Sequence, residues 1–219
     1  IKTNVGTLTL NAANTFAGNV LVRGGYLQAG GNLALGDNKT VILTNTTGVT
    51  GGPGATMDLL SNVVMASSLP LVAYTTYTPD IRASMRGAAG ASEWKAPITL
   101  IGDGRFGLYA DAAGTSLNVS GPINGPTAGS TTVVMIRGTS GVGQINGQAN
   151  FIGQMFKTDA GTWLINSTSN YWSTTGIAVG TVRLGANNAL CVTAPLTMGQ
   201  GDANACVLDL NGFNQTLPG

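Results

Sequence analysis

One internal repeat constrains this chain more than any other feature. Displaced by about 155 residues, the sequence falls on itself without a gap. Lys2-Thr3-Asn4-Val5-Gly6-Thr7-Leu8-Thr9-Leu10-Asn11 lies on Lys157-Thr158-Asp159-Ala160-Gly161-Thr162-Trp163-Leu164-Ile165-Asn166. Gly25-Tyr26-Leu27-Gln28-Ala29-Gly30 lies on Gly180-Thr181-Val182-Arg183-Leu184-Gly185, and Asn32, Ala34 and Leu35 lie on Asn187, Ala189 and Leu190. A second echo pairs Thr56-Met57-Asp58-Leu59 with Val207-Leu208-Asp209-Leu210. Short β units that repeat in order cannot bury their apolar faces alone, so they stack and share a core.

The local pattern is that of strands. Thr7–Leu10, Val20–Val22, Tyr26–Ala29, Val41–Leu43, Pro97–Ile101, Ser116–Val119 and Thr131–Ile136 are rich in Thr, Val, Leu and Ile and end at Gly, Asn or Asp. Helix formers are scarce, with Glu93 the one glutamate. Ala83–Ala91 is glycine-rich and reads as a loop. The expected fold is all-β: a right-handed parallel β-helix, or β-solenoid. At roughly 20 to 25 residues per coil and about 4.8 Å per strand, it makes roughly nine or ten coils and a rod near 45 Å. Leu, Ile, Val and Ala face inward and Thr, Ser and Asn outward. Asn serves left-handed turns and bonds along the stack. The expected organisation is one continuous domain. Residues 1–67 are the first repeat copy, 68–95 a loop-rich insertion, 96–156 connecting coils and 157–219 the second copy.

Composition narrows the chemistry. The 219 residues carry 10 Lys+Arg, 9 Asp+Glu and no His, with 9% charged and 33 Gly. An ordinary domain is about a quarter charged. Without His there is no Ser-His-Asp or Cys-His pair and no imidazole ligand or proton shuttle. A net charge of +1 gives no nucleic-acid footprint. No apolar run reaches the roughly 18–20 residues of a membrane helix.

The motifs in the first copy carry a resemblance. Lys2-Thr3 with Gly6-Thr7-Leu8-Thr9-Leu10, then Asn14-Thr15-Phe16-Ala17-Gly18, Val20-Leu21-Val22, Gly25–Gly30 and Ala34-Leu35-Gly36 resemble the passenger-associated (autotransporter-associated β-strand) repeat of bacterial autotransporters. The second copy departs from it at Trp163, Ser169-Asn170-Tyr171 and Cys191. The resemblance covers about two thirds of the chain. It implies secretion, a β-helical passenger and a spacer or adhesive role at the bacterial surface. The family's outer-membrane barrel is not in this sequence. Both ends fall inside the pattern, so the chain is expected either to continue into further repeats or to stack end to end with copies of itself.

Gly102-Asp103-Gly104-Arg105-Phe106-Gly107 fits G-x-G-x-x-G, but a dinucleotide site needs a helix after it and Leu108-Tyr109-Ala110 reads as strand, so a glycine corner is expected. A polysaccharide lyase or hydrolase would need converging acids. Asp103 and Asp111, with Glu93, Lys95 and Arg105 nearby, are the set to test. Tyr74, Tyr77, Arg82, Arg86, Trp94 and Trp172 are the candidate glycan or partner contacts, gathered mainly in the 68–95 segment. An extended Tyr171-Trp172 must turn one ring outward. Cys191 and Cys206 are either two buried hydrophobes or a disulfide. No catalytic residue, metal ligand or cofactor is assigned. The leading expectation is a non-enzymatic extracellular structural protein; a carbohydrate-binding adhesive module comes second and a polysaccharide-cleaving enzyme third.

Overall fold

The computed structural model describes residues 1–44, 54–75, 83–129, 131–200 and 205–218. Among the described residues there is no helix, and every strand pairing is parallel. The strands, numbered in chain order, form three sheets. The nine-stranded sheet holds β1 (Thr7–Leu10), β3 (Tyr26–Ala29), β5 (Thr56–Leu59), β8 (Ala83–Gly87), β11 (Gly104–Ala110), β14 (Thr132–Arg137), β17 (Gly153–Lys157), β19 (Thr174–Ile177) and β21 (Leu196–Met198). The seven-stranded sheet holds β6 (Val64–Met65), β9 (Ala91–Trp94), β12 (Ser116–Val119), β15 (Val142–Ile145), β18 (Thr162–Ile165), β20 (Gly180–Leu184) and β22 (Cys206–Asp209). The six-stranded sheet holds β2 (Val20–Val22), β4 (Val41–Leu43), β7 (Leu71–Tyr74), β10 (Ile98–Ile101), β13 (Ile123–Asn124) and β16 (Ala149–Asn150).

From β5 to β16 the chain visits the nine-, seven- and six-stranded sheets in rotation, four times over. This is the arrangement expected of a parallel β-solenoid. A parallel pair needs a crossover between its strands, and here the crossover is the rest of the turn. Thr7 stands opposite Tyr26 and Tyr26 opposite Thr56, so successive turns take 19 and 30 residues. The expected 20 to 25 residues is therefore too narrow, because corners absorb insertions without disturbing the ladders.

Alternation assigns the faces. In β3 and β5, Leu27, Ala29, Met57 and Leu59 point into one core that runs on through Met85, Leu108, Val134 and Met155. Segment 83–87, expected as a loop, is strand β8: Ala83, Met85 and Gly87 face inward and Ser84 and Arg86 outward. Its small residues hide a period of two. Leu71–Tyr74 and Ala91–Trp94 are also regular strands. The described parts of the 68–95 segment thus belong to the sheets.

The repeat is three-dimensional. Lys2 Nζ donates to the carbonyls of Thr3 (2.9 Å), Asn4 (2.7 Å) and Gly24 (2.9 Å). Lys157 Nζ donates to those of Thr158 (2.8 Å), Asp159 and Val179 (3.2 Å), the same three positions one repeat later. Gly25 and Gly180 close these corners at φ +69° and +77°. A side chain on Gly25 would stand 2.5 Å from the Gly6 carbonyl, and one on Gly180 2.3 Å from that of Asp159. Left-handed φ and a neighbouring carbonyl both demand glycine there.

The two copies nevertheless occupy different walls. In the first, β1 to β5 alternate between the nine- and six-stranded sheets. In the second, β18 to β22 alternate between the seven- and nine-stranded sheets. The motif has moved on by one face.

Candidate functional site

The outer surface of the nine-stranded sheet carries a polar row that crosses six strands. Register places Thr9 beside Gln28, Gln28 beside Asp58, Asp58 beside Arg86, Arg86 beside Tyr109 and Tyr109 beside Arg137. In a strand ladder such neighbours stand about 5 Å apart, close enough to bond. Thr9 Oγ1 donates to Gln28 Oε1 (2.9 Å), and Gln28 Nε2 to Asp58 Oδ2 (3.1 Å). Arg86 grips Asp58 with two bonds, Nε to Oδ1 (2.9 Å) and Nη2 to Oδ2 (2.6 Å). Its guanidinium also lies 4.9 Å from the centre of the Tyr26 ring. Further along, Arg137 repeats the arrangement. It holds Asp159 through Nε (3.0 Å) and Nη2 (3.2 Å), donates to the Tyr109 hydroxyl (3.2 Å) and lies 5.2 Å from that ring's centre.

The electrostatics follow from this packing. Asp58 is fully buried although it points outward, and the paired guanidinium makes that burial tolerable. Burial alone would lower the Arg86 and Arg137 values, but their aspartates hold both above the ordinary arginine range. Burial alone would likewise raise Asp159, yet the Arg137 hydrogen bonds hold it below the usual carboxylate range. Asp111, one residue past β11, is raised, chiefly by burial, with Arg86 and Arg137 opposing. The row therefore presents matched charges, with the Asp111 carboxyl beside its end raised by burial. Lys157, fully buried in its corner, is pushed down to about 8 by burial.

The expected contact residues do not assemble into one site. Tyr74 is 44% exposed at the end of β7, on the six-stranded sheet beside Ile101. Arg86 lies in the polar row on another wall. Tyr77 and Arg82 lie outside the described residues. Trp94 and Trp172 are corrections: both are in the core, where no ligand outside the solenoid reaches them. Trp94 sits on the inner face of β9. Trp172 stacks on Phe151 with ring centres 6.2 Å apart and donates Nε1–H to Thr175 Oγ1 (2.7 Å). Tyr171 is the outward member of that pair, 48% exposed. Cys191 and Cys206 are both free thiols, so the disulfide alternative fails. Cys191 packs in the core with its sulfur 3.3 Å from Thr193 Oγ1, while Cys206 opens β22 and accepts the Gly199 N–H (3.1 Å).

The acids tested for catalysis stand apart. Asp103 and Asp111 flank opposite ends of β11, about 26 Å of extended chain. Asp103 accepts the Thr131 N–H (2.6 Å), and Arg105 lies within β11. Glu93 is on the seven-stranded sheet, where Ser120 Oγ donates to it (2.6 Å) and Lys95 is 3.6 Å away. The glycines of the G-x-G-x-x-G motif form a corner at Gly102 and then enter β11, with no helix for a pyrophosphate. Among the described residues no group of three or more Cys, Asp or Glu could hold a metal, and no helix is long and apolar enough to cross a membrane.

Sequence reasoning missed Gln28, Tyr109, Arg137 and Asp159 as neighbours. Their spacing is irregular because turn lengths vary, so only the register reveals the row. No protein-family model, curated protein or solved structure matches this chain.

Proposed function

We propose that this chain is a non-enzymatic structural element of the extracellular surface. In this reading it is a right-handed β-helical rod of nine or ten coils, from a secreted bacterial surface protein of the autotransporter-passenger type or a filament subunit. The observation that supports it most is continuity: one nine-stranded parallel ladder runs from Thr7 to Met198, two more overlap along it, and side chains bond from coil to coil outside them. Asn146 Nδ2 donates to Asn118 Oδ1 and Asn166 Nδ2 to Asn146 Oδ1, each at 2.6 Å. A stack stitched inside and out resists bending and protease access. Its partners are copies of itself end to end, or further repeats of a longer chain. Electron microscopy of the native species tests the reading, together with limited trypsin digestion. Stiff rods that survive trypsin are expected; compact particles cleaved as fast as the unfolded chain would overturn it.

A second reading, a carbohydrate-binding adhesive module, is supported by the rings and guanidinium groups on the nine-stranded sheet.

A further inference from the structure

We propose that the outer face of the nine-stranded sheet, from β11 to β19, binds a linear uncharged polysaccharide running along the stack. The inference rests on the carbohydrate-binding reading and gives it a site and a substrate class.

Two glycines open the face. Tyr109 folds back along its own strand, and its Cε2 lies 2.3 Å from where a Gly107 side chain would begin. Phe156 leans across to the next strand, with Cδ2 2.7 Å from the same point on Gly176. Each ring therefore lies along the sheet surface, and each is partly exposed. Between them, in register with Gly107 and Phe156, Met135 is almost fully covered and levels the floor. Tyr109 and Phe156 are two strands apart, about 10 Å along the stack. Two coils, with one between them, thus each offer a flat ring, which suits an extended polymer whose units repeat along its axis.

The polar surroundings set the class. Pyranose rings pack their C–H faces on aromatic rings, and their hydroxyls pair with amides, carboxylates and guanidinium groups. Gln154 Nε2 bonds Gln200 Oε1 (3.3 Å) directly over Gly176, and Arg137 with Asp159 flanks Tyr109. Arg86 and Arg137 on this wall are neutralised by aspartates, and Arg105 in β11 is the one arginine of the wall without an ion pair among the described residues, too sparse a charge to favour a polyanion. The ligand that fits flat rings, amides and matched charges is a neutral glycan.

Affinity electrophoresis of the full chain tests this, with xylan, galactomannan or hydroxyethylcellulose in the gel and with polygalacturonate and dextran sulfate as anionic arms. Retardation by at least one neutral glycan is expected, weakened about tenfold or more in the Tyr109→Ala/Phe156→Ala pair. Tyr74→Ala, on another wall, should bind as the parent does. Circular dichroism checks that each variant is folded; if the pair is not, Phe156→Ala and Gln154→Ala alone replace it. Retardation that survives the ring substitutions overturns the site but leaves the adhesive reading standing. Retardation by the polyanions alone overturns the substrate class. No retardation in any gel overturns both the inference and the adhesive reading.

Discussion

The two repeat copies are the same motif placed in different company. Trp163 in the second copy and Leu8 in the first occupy one repeat position. Trp163 is wholly buried, with β15 on one side of its strand and β20 on the other. It fills the space above Gly143, where a side chain would begin 2.1 Å from the indole, and donates Nε1–H to the Arg137 carbonyl (2.8 Å). Leu8, on a strand paired only with β3 among the described residues, is 41% exposed and borders a cavity of about 370 Å³. The corner geometry is shared, since Lys2 and Lys157 cap equivalent carbonyls and Gly25 and Gly180 close them. A repeat therefore specifies its corners, whereas burial is specified by which coils lie above and below.

Substitutions at equivalent positions can break this view. Trp163→Ala should destabilise by about 3–5 kcal/mol, and Leu8→Ala by about 0.5 kcal/mol or less, in urea denaturation. Equal costs would mean that both copies are covered alike in solution. Next comes the lysine pair. Lys157→Ala leaves three part-buried carbonyls without their donor and should cost about 1–3 kcal/mol, against about 1 kcal/mol or less for Lys2→Ala, whose Thr3 and Asn4 carbonyls are exposed. The glycines should behave in the opposite way. Gly25→Ala and Gly180→Ala meet the same left-handed backbone and the same carbonyls, so each should cost about 1–3 kcal/mol whatever its burial. A large difference between them would show that the first corner relaxes at the edge.

The corner also has a pH signature. The Lys157 ammonium gives up its proton near 8 when folded, against 10.5 for an ordinary lysine. Between those values the unfolded chain holds the proton and the folded chain does not. Titration of this group therefore adds stability as pH rises through that window, beyond what its hydrogen bonds contribute below it. Lys157→Met should flatten the stability curve between pH 8 and 10.5. An unchanged slope, or a Lys157 amine titrating near 10.5 by NMR, would contradict it.

Much of this architecture was legible in the sequence. Seven strand segments were read within one residue of their bounds, because β-branched runs ended by Gly or Asn have few other uses. The Lys and Gly of the corners showed as repeat matches, although what the lysines do required seeing the carbonyls. The shift of the second copy by one wall was not legible, since equivalent corners join any two walls. The polar row was hidden by turn length, whereas strand β8 was hidden by its small residues. Turns of 19 to 30 residues erase any fixed period between Gln28, Asp58, Arg86, Tyr109 and Arg137. The sequence does not place Trp94 and Trp172, because a tryptophan in extended chain reads the same from either face, and only contact with neighbours such as Val119 or Phe151 decides.

The smallest effect tests that parity directly. Trp94 and Trp163 both point inward from the seven-stranded sheet. Trp163 Nε1 has a carbonyl partner, whereas Trp94 Nε1 is buried with none among the described residues. A buried unpaired N–H costs about 1–3 kcal/mol, which Trp94→Phe removes while giving up some packing volume. The two changes oppose each other, so Trp94→Phe should lie within about 1 kcal/mol of the parent. Trp163→Phe gives up packing and also strands the Arg137 carbonyl, so it should be the worse of the two by about 1–3 kcal/mol. If the two phenylalanine variants melt together in urea, the Trp94 indole has found a partner in solution, and the difference between the two tryptophans reduces to volume alone.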